Sequence, residues 1–338
     1  MRAAVLDDDG LAVRDWPEPE PGPGEALVAL TMVGICGSDV HFVIDGTART
    51  AFRPIVLGHE PAGVVAALGP GTDGPAPGTR VAIVPLVTCG TCDKCRSGQA
   101  VVCRSVACLG CDVHGCWADL VAVPVRNLIE IPYGLPDELA AVATDSVATA
   151  YRAVVTRGGV GEGSRVAIWG TGGLGLSAVG IARQRGAAEI VAVDPRPEAR
   201  EWALQTGADL ALHPDEAARL ADIGGVDVAL EFVGRRATME AAVRALDSGG
   251  RAVIVGVGDE HGATGRMMSL VLREREVLGS YGASAEEVRA VIDLLASGEL
   301  RLPRAVGDVI PLADVASGLE RVARGDTGGS RIVVDVGG

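Results

Sequence analysis

Lysine is all but missing from this chain. Lys94 is the sole one among 30 basic residues, against 44 acidic residues, leaving a formal net charge of −14. Nucleic acid and anionic membrane surfaces are both recognised through positive potential near phosphates, so this net negative charge disfavours them as bulk partners and favours a small molecule. Aromatic residues are scarce at 3%. No internal repeat, low-complexity tract or heptad pattern runs through the 338 residues, which excludes solenoid and coiled-coil architectures. The opening MRAAVLDDDG lacks a basic stretch leading into an apolar run, so no secretory signal is read there and a cytoplasmic location is expected. The uncharged stretch from Val166 to Ala182 has the look of a membrane span, but its five glycines argue against one.

What is present is a globular composition, 48% hydrophobic and 22% charged, on a chain longer than one core usually supports. Two domains of about 150 to 200 residues are expected. The first half reads as short strands broken by proline and glycine: Ala26 to Val33, Val56 to Leu57, Gly63 to Leu68 and Arg80 to Val84. From about Glu162 the pattern becomes strand then helix, repeated through VAIW, LSAVGIARQRG, EIVAVD and PEAREWALQTGA, then VDVALEF, RAVIVGV and EVLGS. Such alternation predicts an α/β fold with a parallel sheet and crossover helices. A helix over Glu286 to Ala296 precedes strand-like segments at Ala305 to Ile310 and Ser330 to Val336, so the chain is expected to return to its first domain.

The segment GTGGLG, Gly170 to Gly175, follows the apolar strand Val166 to Trp169 and opens a helix, with Asp194 closing the next strand. That context is the dinucleotide-binding fingerprint. Gly170 allows the tight turn, Gly172 lets backbone approach a pyrophosphate, Gly175 permits close packing of helix on strand, and Gly173 and Leu174 complete the loop. Asp194 would accept from the adenosine ribose and repel a 2′-phosphate, which favours NAD over NADP. Arg196 could pair with such a phosphate instead, although beside a carboxylate it reads as a solvated loop arginine.

Eight cysteines in a chain without a secretory signal point to metal ligation more than to disulfides. Cys89, Cys92, Cys95 and Cys103 form CxxCxxCx7C, a spacing that lets one loop wrap four thiolates round a tetrahedral ion. Zinc suits such a closed all-sulfur site, and an iron–sulfur cluster is the competing reading.

Taken together, the four-cysteine lobe, GICGSDVH at Gly34 to His41, GHE at Gly58 to Glu60 and GTGGLG resemble the zinc-containing medium-chain alcohol dehydrogenases over essentially the whole chain. The resemblance implies a GroES-like β-rich catalytic domain over 1–146 with a structural-zinc lobe at 89–103. It also implies a Rossmann cofactor domain over 147–282, a return to the catalytic domain over 283–338, and an active site in the cleft between the two. It favours zinc for the four-cysteine lobe and implies two zinc ions per chain. The catalytic one would be held by Cys36, His59 and Asp145, with Glu60 as an occasional further ligand and Asp39 orienting His59. Singly, these residues read as a buried thiol, a core histidine and a helix-capping carboxylate; the joint spacing carries the ligand reading. Ser38 and His41 match a proton relay. Thr149 and Val257 match nicotinamide contacts, Arg331 a pyrophosphate-binding arginine, and Trp117 a wall of the substrate pocket. Gly37 stands where the family's animal enzymes often carry arginine, so one phosphate contact is missing.

The resemblance further implies a homo-oligomer, with the short loop before Trp117 leaning towards a tetramer over a dimer. The activity implied is hydride transfer between an alcohol, secondary by preference, and NAD. Polyol or cyclitol oxidation, carbonyl reduction in the reverse direction and a zinc-holding scaffold without turnover are the other readings. Cys108, Cys111, His114 and Cys116 exceed what the family needs and are expected to be ordinary reduced thiols and a loop histidine, although CxxC beside a histidine also suits a metal or redox site.

Overall fold

The computed structural model describes residues 1–222, 224–258 and 260–337. Two compact units account for them: Met1–Ala148 with Gly282–Ser297 and Val306–Gly338, and Thr149–Tyr281 with Gly298–Ala305.

The first unit is built on a sheet ordered Leu128–Glu130, Arg80–Ile83, Glu60–Leu68, Glu25–Gly34, Arg331–Asp335, Val306–Pro311, with Leu120–Pro124 also paired to Glu25–Gly34. Glu25–Gly34 alternates buried and half-buried residues along its length, the period-two pattern of a strand with one face in the core. It holds most of the register: Gly34 lies opposite Glu60 on one side and opposite Val333 on the other. A smaller sheet of Gly10–Asp15, Arg2–Asp7 and Ile55–Val56 closes one end, and its N-terminal hairpin is an element the sequence reading did not anticipate. The core below gathers Val28, Leu30, Ile35, Leu57, Val81, Trp117 and Val334.

The second unit carries six parallel strands in the order Leu210–Leu212, Glu189–Val193, Arg165–Trp169, Val226–Glu231, Leu246–Ile254, Glu276–Gly279. The order reverses beside Arg165–Trp169, which leaves a crevice at the carboxyl ends of the central strands. The uncharged stretch from Val166 becomes strand, turn and the buried helix Gly173–Gln184. Among the described residues no helix is long and apolar enough to cross a membrane.

One boundary departs from expectation. Gly298–Ala305 was expected to return with 283–338, yet it packs on the second unit. Gly180 makes room for Leu302, and Arg304 lies over the Trp202 ring at 5.3 Å and donates to Gln205 at 3.0 Å. The segment is too short and irregular for periodicity to have assigned it.

Candidate active site and metal centres

Cys36 caps the short helix Gly37–Val43, and the Asp39 carboxylate accepts from its backbone N–H at 2.9 Å. His59 follows Gly58, whose φ of +91° is one that residues with a side chain rarely adopt. A Cβ there would also stand 2.6 Å from Trp117 Cδ1. Glu60 begins the strand Glu60–Leu68. Asp145 lies in a π-helical turn, Ala143–Val147, that widens the helical run begun at Asp137–Val142. Such wide turns recur at functional sites because they re-aim a side chain without ending the helix.

These four residues converge. Each of Cys36, His59, Glu60 and Asp145 offers one ligand atom within 4.8 Å of the others. Cys36 Sγ lies 3.6 Å from Asp145 Oδ2, which is 3.9 Å from His59 Nε2. His59 Nδ1 faces Asp39 Oδ1 at 3.4 Å, so Nε2 is the nitrogen turned to the group. Burial works against protonating His59, but Asp39 and Cys36 outweigh it and push its pKa well above the ordinary imidazole value. Burial raises the Glu60 carboxyl to about 7 against the pull of Arg331, and its Oε2 is buried without a hydrogen-bond partner. Up to four anionic groups thus share a dry site with one guanidinium and one imidazole. A divalent cation meets that imbalance, and thiolate, imidazole and carboxylate together form a zinc donor set.

The Arg331 guanidinium, expected on a pyrophosphate, is buried in the first unit, donating to Glu60 Oε1 at 3.0 Å and to Cys36 Sγ at 3.2 Å. Trp117 is fully buried in the core of the first unit. Ser38 Oγ lies 3.2 Å from His59 Nε2. His41 is half-buried, four residues before Asp45, which holds its Nδ1 at 2.8 Å.

The four-cysteine lobe also closes. Cys89, Cys92, Cys95 and Cys103 bring their sulfurs within 4.8 Å of one another. Backbone N–H groups of Thr91 and Cys92 point at Cys89 Sγ and hold that thiol down at about 6, whereas burial pushes Cys95 up to about 11. Backbone amides aimed at sulfur stabilise thiolates, as metal ligation requires.

In the second unit, a cavity of about 660 Å³ is lined by Gly170, Gly172, Gly173, Leu174, Gly175 and Asp194, with Trp169, Arg196 and Arg235 beside them. Gly170 has φ +84°, and a Cβ on Gly175 would fall onto the Gly170 carbonyl. A Cβ on Gly172, the cap of the helix, would meet no protein atom, which leaves that face open to a ligand. The buried Asp194 accepts from Thr171 N at 2.9 Å and from Arg196 N and Nε at 3.0 Å each. Those hydrogen bonds outweigh burial and hold its pKa below the ordinary carboxylate range. Arg196 is therefore paired and not a solvated loop residue. Thr149, buried, and Val257, exposed, lie in the same unit without lining this cavity.

Glu231 was missed. It ends the strand Val226–Glu231 fully buried and accepts from Val233 N, Gly234 N and Thr238 Oγ1, shaping the loop on the cavity's far wall. Its signal was an acid closing an apolar strand, VDVALE. Of the extra cysteines, Cys108 and Cys116 are buried and Cys111 half-buried, while His114 is edge-on to both Trp16 and Phe52.

Residues 22–133 match the family model of the alcohol dehydrogenase GroES-like domain, and residues 173–297 that of the zinc-binding dehydrogenases. An alcohol dehydrogenase of Geobacillus stearothermophilus is 32% identical over 99% of this chain and 100% of its own. An L-threonine 3-dehydrogenase of Pyrococcus horikoshii is 31% identical over 84% of this chain and 83% of its own. The crystal structure of an NAD-dependent alcohol dehydrogenase superposes with a TM-score of 0.90 at 32% identity, covering all of both chains. With two ligand clusters, a glycine turn closed by Asp194 and relatives matched along its whole length, the chain belongs to the zinc-containing medium-chain alcohol dehydrogenases.

Proposed function

We propose that the protein oxidises an alcohol, secondary by preference, with NAD as hydride acceptor, and runs in reverse as a carbonyl reductase. The observation that carries this is the convergence of Cys36, His59, Glu60 and Asp145 in a buried, anionic site. Cys36, His59 and Asp145 would hold a catalytic zinc, and Cys89, Cys92, Cys95 and Cys103 a structural one. When bound, such an ion would supply the Lewis acidity that makes an alcohol hydroxyl acidic near neutral pH, and NAD would be the hydride acceptor. Asp39 fixes the His59 ring so that Nε2 serves as ligand. Arg331 favours the charged form of Glu60 and holds its Oε1, so Glu60 would serve as a ligand only when that contact is exchanged. Ser38 is placed to take up the alcohol's proton and His41 to hold it on the way to water.

On the cofactor side, Asp194 supports NAD, since a buried carboxylate already neutralised by Arg196 gains nothing from a further phosphate in its place. Asp194→Ala should weaken NAD binding by roughly tenfold, the worth of a hydrogen bond to a charged group. It should also favour NADP, because Arg196 is then freed to meet a 2′-phosphate. Binding titrations with both cofactors check this; unchanged discrimination would refute the role of Asp194.

A homo-oligomer is supported by the exposed apolar side chains of Met267, Met268, Val271 and Leu272 ahead of the edge strand Glu276–Gly279. Pairing of such edges gives a dimer, and we favour its doubling to a tetramer in the cytoplasm. The deciding test is metal analysis together with NADH formation across simple alcohols, polyols and aminocyclitols. One zinc per chain and no turnover with either cofactor would reduce the protein to a scaffold.

A further inference from the structure

The last turn of the helix Gly37–Val43 and the loop after it hold a group of side chains that neither proposed metal centre uses. His41 Nδ1 lies 2.8 Å from Asp45 Oδ2 and 2.9 Å from Thr47 Oγ1. Thr47 in turn donates to Asp45 Oδ1 twice, from its backbone N–H at 2.9 Å and from its hydroxyl at 2.6 Å. We propose that Asp45, braced by Thr47, is a positioning residue that keeps the His41 proton on Nδ1, so that Nε2 is the proton-accepting atom during alcohol oxidation. This rests on the oxidoreductase reading of the site given above.

The assignment follows from counting protons. A threonine hydroxyl has one, and here it is given to Asp45 over the shorter contact. Thr47 Oγ1 can therefore face His41 only as an acceptor. Asp45 has none to give: the two Thr47 donors and then His41 hold its carboxyl at about 2, so it is an anion with acceptor oxygens alone. Both neighbours of Nδ1 are acceptors, so in the neutral ring Nδ1 carries the hydrogen and Nε2 the lone pair. The backbone supports the same arrangement. Asp45 N–H donates to Val40 O at 3.2 Å and Ala48 N–H to His41 O at 3.3 Å, folding the loop back on the helix end.

The proton step balances simply. A proton released by the alcohol bonds to Nε2, giving an imidazolium whose Nδ1–H still points at Asp45. Loss of the Nε2 proton to water restores the neutral ring, and no electrons pass through His41. The opposite tautomer would present an N–H to the incoming proton and could not accept it. His59 is oriented in a similar way, its Nδ1 facing Asp39 Oδ1 at 3.4 Å, whereas Nδ1 of His114 accepts from Val56 N at 3.3 Å and Nδ1 of His213 from Asp215 N at 3.3 Å.

With five histidines in the chain, the tautomer can be read directly. Zinc-loaded enzyme carrying ¹⁵N-histidine is examined by long-range ¹H–¹⁵N correlation, with His41→Gln assigning the signal. The wild type should show a protonated Nδ1 and an unprotonated Nε2. In Asp45→Ala the Thr47 hydroxyl is free to donate to Nδ1, so the proton should move to Nε2. Turnover should then fall roughly tenfold, the usual scale for losing such a supporting contact, with KM little changed. Asp45→Asn retains a carbonyl acceptor and should keep the wild-type tautomer and recover part of the turnover. A wild-type Nε2–H tautomer, or an Asp45→Ala enzyme with unchanged tautomer and turnover, overturns the proposal. If the wild type shows Nδ1–H but oxidises no alcohol, the oxidoreductase reading fails, and with it the catalytic purpose assigned to Asp45.

Discussion

Nη2 of Arg331 stands 3.2 Å from Cys36 Sγ, and the same guanidinium donates to Glu60 Oε1 through Nε at 3.0 Å. One buried cation thus bridges the sulfur proposed as a zinc ligand and a carboxylate from a neighbouring strand. Arg331→Met would remove the pull that holds the buried Glu60 carboxyl down at about 7, so that Glu60 takes up a proton at neutral pH, and losing one partner of a buried pair costs up to about 3–5 kcal/mol. Bound zinc supplies positive charge to the same group, so the loss should be larger for metal-free than for zinc-loaded protein. Urea denaturation of both forms checks this. Equal losses in the two would show that the arginine and the ion do not share a charge environment.

The two cysteine clusters should answer to substitution in opposite ways. Cys36 lies in a well-packed unit beside Ile35 and Val33, so Cys36→Ser should keep the fold and abolish turnover. The lobe from Cys89 to Cys103 buries little apolar surface of its own: its short helix Asp93–Arg96 has no buried residue, and the turn Ala100–Val102 buries only Val101. On the proposal of a structural zinc, much of its order would come from the metal. Cys92→Ser should lower the melting temperature on the order of 10 °C, by the usual conversion from a few kcal/mol. Calorimetry and zinc content on both variants decide it, and a Cys92→Ser protein as stable as wild type would reverse the assignment.

Legibility in the sequence tracked locality. The glycine turn, the four-cysteine lobe and the order of strands and helices depend on residues near one another, and spacing alone carried them. Arg331 and Glu60 are separated by 271 positions, and they meet because Glu25–Gly34 pairs with both of their strands. A motif held across a sheet leaves no trace in spacing. Asp145 was found only through resemblance, since the π-turn that aims it has no periodic signature. A tryptophan beside a site pattern reads alike as core or pocket wall until burial is known, and Trp117 is fully buried. Asp45 and Thr47 were legible in principle as a polar turn after a helix, but nothing local marked them as partners of His41.

The extra cysteines divide by environment. Cys111 is lowered from the ordinary thiol range, chiefly by its contact with Cys108, whereas that contact and burial push Cys108 well up. Burial pushes Cys116 up to about 12. Thiolate is the reactive form, so zinc-loaded protein treated with iodoacetamide at mildly alkaline pH should be alkylated first at Cys111. The rate should fall as pH drops through a value below 9, where Cys111 takes up its proton. Peptide mass analysis reads the order of labelling. Labelling of Cys108 or Cys116 ahead of Cys111 would contradict the arrangement.

Gly58 is the residue on which the placement of His59 turns. Its φ of +91° already disfavours a side chain, and a Cβ would meet Trp117 Cδ1 at 2.6 Å and Trp117 N at 2.9 Å. Neither neighbour can yield cheaply. Trp117 is fully buried, its N–H donates to Leu57 O at 2.8 Å and its carbonyl accepts from Ala4 N at 2.7 Å. Gly58→Ala should therefore cost about 1–3 kcal/mol through overpacking and backbone strain. Since His59 is the next residue, the shift moves Nε2 away from Cys36 and Asp145, and turnover should fall by more than the stability loss explains. Zinc affinity, measured by competition with a chelator, separates the two effects: it should weaken in Gly58→Ala. If Trp117→Phe in the same background, which opens space beside the new methyl, restores stability but not metal affinity, the strain at φ +91° is what holds His59 in place; recovery of both assigns the effect to the clash with Trp117.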